Sequence, residues 1–139
     1  MSIATKKRSL PNNEDNQRYA QRNRDFIVEK FNPGADLYEF RSNFRLSREK
    51  FAHVLGYSSR SVANWEAGAP IASHAIRSIQ ELKSIYKRAC NIAPADEVNR
   101  WFVTANDYLE GMTPLEAISV GKADSVLRII ILSEEGIPV

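Results

Sequence analysis

The stretch LSREKFAHVLGYSSRSVANWEAG, from Leu46 to Gly68, places two short apolar-patterned segments either side of Gly56 and opens the second with a polar cluster, Ser58-Ser59-Arg60-Ser61. It predicts two helices, Arg48 to about Leu55 and Ser59 to about Ala67. Ser47 and Ser58 stand where a side-chain oxygen caps a first helical turn, and Gly56 tolerates the left-handed conformation that ends a helix. The first helix buries Phe51, Ala52 and Leu55, with Leu46 just ahead. At about 100° per residue, Val62 and Trp65 of the second point one way, and Arg60, Ala63, Asn64 and Ala67 the other. Each helix hides one apolar side, and the Gly56 turn lets them cross. Arginine forms a bidentate pair with guanine's major-groove edge, asparagine does so with adenine's, and alanine allows close approach or meets a thymine methyl. Ser58, Ser59 and Ser61, with the free amides at that helix start, suit a phosphate or a base edge.

Around this unit the pattern is helical throughout. Residues 1–13 read as a disordered arm, and Glu14 to Phe31 as a helix stopped by the Asn-Pro-Gly that follows. Leu37, Phe40 and Phe44 are spaced for a helix from Asp36 to Phe44. Ala72 to Asn91 has the clearest amphipathic pattern, with Ile76, Ile79, Leu82, Ile85, Tyr86 and Ala89 on one face. Ala95 to Leu109 predicts a further helix, with Val98, Trp101, Phe102 and Ala105 on one side. Thr113-Pro114-Leu115-Glu116 has the spacing of a capping box with proline at the first helical position, and that short helix ends near Gly121. A last helix covers about Asp124 to Glu135. No segment alternates with period two, so the expected class is all-α: a helix-turn-helix bundle at 14–90 followed by a small helical domain at 91–139.

The stretch from about Leu37 to Ile76 resembles the helix-turn-helix of the Cro/C1 repressor family, the Xre-like regulators. Carried over position by position, the resemblance makes Ser59, Arg60 and Asn64 base-edge candidates and Arg48 and Ser58 phosphate or supporting contacts. Ser61 and Ala63 complete the surface facing double-stranded operator DNA. Arg41 and Glu66 match a pair that in this family braces the first helix against the recognition helix. Several relatives carry glutamines where this chain has Ser59 and Arg60, so the preferred operator sequence does not transfer.

Charge divides the chain. Residues 1–90 hold 16 Lys and Arg against 9 Asp and Glu, whereas residues 91–139 hold 3 against 8. A basic part neutralises phosphates, and an acidic part is poorly suited to a polyanion. The acidic part has Trp101, Asn106, Leu109-x-Gly111, Thr113-Pro114-Leu115-Glu116, the Gly121 break and Gly136. In these it resembles the toxin-binding domain of antitoxins of the Xre/MbcA/ParS group, which partner RES-domain toxins that consume NAD. Val126, Leu127, Ile129, Ile130, Ile131 and Leu132 go most of the way round the last helix, more than one small core easily covers. The expected toxin or dimer interface is therefore Trp101, Leu127, Ile130, Ile131, Glu134, Glu135, Ile137 and Val139. The resemblance implies that the last helix and the tail cover the partner's active-site mouth.

The rest excludes other classes. Cys90 is the single cysteine, so no internal disulfide forms, and with only His53 and His74 no zinc site assembles. Acids are scattered and no nucleophile has a readable base, so no catalytic residue, metal or cofactor is expected. The N-terminal MSIATKKRSLPNN lacks an apolar stretch behind its basic start, and VLRIIIL is too short for a bilayer, which points to the cytoplasm without a membrane partner. Three readings stay open: a homodimeric antitoxin that binds its toxin and represses its own operon, a stand-alone regulator whose C-terminal part only dimerises, and a pure protein-interaction module without DNA binding.

Overall fold

In the computed structural model, which describes residues 33–137, helix α1 runs over Pro33–Phe44. It starts before the expected Asp36 because proline, with its preset φ and no N–H, belongs in a first helical turn and does not only stop the preceding segment. The arm at 1–13, the helix expected at 14–31 and Val139 lie outside the described residues. Leu37, Phe40 and Phe44 form the buried stripe of α1. Helices α2 (Arg48–Leu55) and α3 (Ser59–Glu66) follow, each eight residues long. The Ser47 side chain accepts from Lys50 N, and Ser58 accepts from Ser61 N at 3.1 Å. Gly56, at φ 80°, ends α2 while Gly56 N donates to the His53 carbonyl and Tyr57 N to that of Ala52, a close that requires the left-handed conformation.

Helix α4 (Ser73–Ala89) is 17 residues long and buries Ala75, Ile79, Leu82, Ile85, Tyr86 and Ala89. It is the spine against which both parts of the chain pack. Helix α5 covers Ala95–Phe102 only. The longer helix expected to Leu109 breaks after Phe102. Thr104 Oγ1 turns back to the Arg100 carbonyl, the Asn106 side chain accepts from Tyr108 N to start a 3-10 turn at Asp107–Leu109, and Asn106 N donates to the Met112 carbonyl. These local bonds outcompete another helical turn, and Ala105 is exposed instead of facing the core. Helix α6 (Pro114–Ser119) begins with the full capping box: Thr113 Oγ1 accepts from Glu116 N at 3.1 Å, and Glu116 Oε1 from Thr113 N at 2.8 Å. Replacing Thr113 by alanine removes one half of that exchange and is expected to cost about 1 kcal/mol in chemical denaturation. Helix α7 (Ala123–Glu134) buries Val126, Ile129 and Ile130. The described residues form helices and turns only, so the fold is all-α.

The basic and acidic stretches share one core within a single compact unit starting at Pro33. Phe102 of α5 stacks edge-on against Phe44 of α1, with centroids 4.9 Å apart, and Phe44 lies 4.2 Å from Tyr86 of α4. Helix α2 packs on α6, and α4 on α7. Tyr86 Oη donates to Asn99 Oδ1 at 2.8 Å, and Asn99 Nδ2 donates to the Asn43 carbonyl, so the seam also carries a satisfied polar link. Burial first, then the neighbouring Cys90, pushes the Tyr86 phenol up to about 12, so it remains protonated and donating near neutral pH.

Candidate functional site

Helix α3 presents two unlike sides. Val62 and Trp65 are buried, and the Tyr57 ring meets Trp65 edge-on at 5.0 Å, pinning the inner side. Arg60 and Asn64 are exposed, one turn apart, with Ser59, Ser61 and Ala63 half-buried around them. Ser58 and Ser61 are partly engaged with each other: the Ser58 hydroxyl caps the helix and lies 3.0 Å from that of Ser61. The outward polar set is therefore led by Ser59, Arg60 and Asn64, on a basic stretch of chain. That arrangement suits a major groove, with side chains reaching base edges from a helix held rigidly behind.

What holds α3 at its angle is an ion-pair cluster. Arg41 of α1 clasps Glu66, the last residue of α3, with Nε to Oε2 at 2.6 Å and Nη2 to Oε1 at 3.1 Å. Its remaining Nη1 donates to the Leu46 carbonyl at 3.0 Å. The Glu66 side chain is only 4% exposed. Arg48, a candidate phosphate contact, is also tied in: its Nε donates to Glu66 Oε1 at 3.0 Å while its side chain is about half exposed. Burial alone would raise the Glu66 carboxyl, but hydrogen bonds from Arg41 and Arg48 and their charges hold it below the usual carboxylate range. The bond to Glu66 in turn raises Arg41. The start of α1 also closes on the end of α3. A Cβ on Gly34 would lie 3.3 Å from the Glu66 carbonyl oxygen, a tight approach that requires the end of α3 to give by a few tenths of an ångström.

The acidic part places its expected interface residues unequally. Trp101, Leu127 and Ile131 are half-buried and Glu135 and Ile137 exposed. Ile130 corrects the expectation. At 2% exposure it is buried with Val126 and Ile129, in a helix that packs against α4, α6 and the 3-10 turn, and it touches the surface only as part of a groove wall. Glu134 is held by Arg88 through two bonds of 2.8 and 3.0 Å, which joins the end of α7 to the end of α4. A groove of about 370 Å³, to which little in the sequence points, opens beside this pair. Val98 and Trp101 of α5 wall one side, Ile129, Ile130 and Ser133 of α7 the other, and Ala89, Ile92, Ala93 and Glu97 complete it. Only the shared helical face of Val98 and Trp101 signalled it in advance.

No family model matches the chain. Over 93 residues it is 28% identical to the mycobacterial cidal antitoxin MbcA of Mycobacterium bovis and, equally, to that of Mycobacterium tuberculosis, covering 66% of this chain and 82% of those proteins. This is a distant homology. The fold matches a chain of the crystal structure of the M. tuberculosis MbcT–MbcA toxin–antitoxin complex, with a TM-score of 0.64, 25% identity, and coverage of 76% of this chain and 96% of that one.

Proposed function

We propose that this chain is an antitoxin of the MbcA kind that neutralises a cognate toxin by direct binding, and that it also represses its own operon through α3. The observation that carries the first part is the fold match, which spans 96% of a chain taken from a toxin–antitoxin complex. The partially exposed apolar residues of α7 and the half-buried Trp101 give the acidic part a surface for a second protein. The partner is a toxin of the MbcT type, read through the group resemblance as a RES-domain enzyme. The test is co-expression with the product of the adjacent gene and purification through one tag. A stable complex and relief of that product's toxicity are expected. If neither appears, the antitoxin reading falls.

The DNA-binding part rests on the two-sided geometry of α3, and that observation also favours the second reading, a stand-alone regulator. Operator binding as a homodimer sets the two α3 helices about 34 Å apart, one turn of the duplex. Arg60→Ala is expected to weaken the specific site by about 1–3 kcal/mol while changing binding to random DNA much less, measured by fluorescence anisotropy at fixed salt. Equal losses on both DNAs would remove Arg60 from base reading.

A further inference from the structure

We infer that the groove between α5 and α7 is the seat of the protein partner, and that it takes apolar side chains from a partner segment flanked by lysine or arginine. This rests on the antitoxin reading and names where and how that contact is made. The groove, about 370 Å³, has mainly apolar walls, and Trp101 stands half-buried in one of them, an anchor of the type that dominates protein interfaces. Its charged lining residue is Glu97, which is exposed and has no ion-pair partner among the described residues. Glu134, beside the groove, is already neutralised by Arg88, whereas Glu135 at the same helix end has no ion-pair partner among the described residues.

Charge selects among occupants. Residues 91–139 carry 8 acids against 3 bases, so a phosphate backbone is repelled there. A second copy docking through a two-fold axis on this face would set the Glu97 of one groove near that of the other, which electrostatic complementarity disfavours. A basic, apolar segment of a different protein satisfies both the walls and the rim. The groove also lies at the end of α4 opposite the helix-turn-helix, so an occupant there leaves α3 free to meet DNA.

The test uses the full chain and the product of the adjacent gene. Ala93→Trp fills the groove from the turn between α4 and α5, and Glu97→Lys reverses its rim charge. Each is expected to weaken the complex by about tenfold or more, Glu97→Gln less, with the thermal midpoint and operator affinity unchanged. In a Trp65→Phe background the emission of Trp101 is expected to shift to the blue when the partner binds. If both groove variants bind like the parent, the partner uses another face and the inference is overturned while the antitoxin reading stands. If Ala93→Trp instead converts a dimer to a monomer, the groove belongs to a second copy and the inference is equally overturned. If the parent chain itself forms no complex, both readings fall together.

Discussion

Phe102→Ala is expected to destabilise the protein by about 3–5 kcal/mol, the range for truncating a fully buried aromatic ring. Phe102 has no exposed surface and meets Phe44 and Trp101 edge-on at 4.9 and 5.0 Å. Those partners come from both sides of the charge divide, so the cavity opens in the seam. Domains of this size are stable by only about 5–15 kcal/mol, so one ring is a large share. Urea unfolding followed separately through Trp65 and Trp101, in single-tryptophan variants, is expected to give coincident transitions that shift together. If the Trp101 signal moved and the Trp65 signal stayed, α2 and α3 would be folding independently of the acidic part.

Glu66→Ala is expected to cost about 3 kcal/mol or more, because it leaves the Arg41 guanidinium, 13% exposed, without its counter-charge. Arg48 is half exposed and contributes little to that loss. The pH dependence follows from the direction of the Glu66 shift. A carboxyl whose folded pKa lies below its unfolded value stabilises fully above the ordinary carboxylate pKa of about 4.3, and that stability is lost as pH falls through the lower folded value. Glu66→Gln is therefore expected to flatten the acid limb of the stability curve measured by thermal melts from pH 7 downward. An unchanged acid limb would mean that other carboxylates govern it. If α3 reads an operator as proposed, affinity for it is expected to fall in the same variants, because the end of α3 is then no longer clamped to α1.

The short-range grammar of this chain was legible. Ser47 and Ser58 cap, Gly56 turns, and the Thr113–Glu116 box opens α6 because each depends on residues within a few positions of one another. The apolar stripe of α4 was equally plain, since a long helix repeats its pattern often enough to outweigh exceptions. What failed needed competition or distance. The run from Ala95 to Leu109 keeps a helical spacing, and the local bonds made by Thr104 and Asn106 show why the helix stops. Ile130 is one apolar residue among six in its run, and its burial depends on the packing of α7 against α4 and α6, which the run itself does not encode. The link from Arg48 to Glu66 spans 18 residues, and the groove is shaped by three stretches of chain, so neither leaves a periodic trace.

Helix α4 has a geometric consequence. Its 17 residues form a rod of about 25 Å, with α3 near one end and the Arg88–Glu134 clasp near the other. A rigid helix transmits phase as well as length. One residue inserted between Leu82 and Ile85 would advance everything beyond it by about 1.5 Å and turn it by about 100°. The bearing of the acidic face relative to α3 is thus written as a residue count, and under the proposed operator binding a dimer would hold its two acidic faces at fixed compass headings around the duplex.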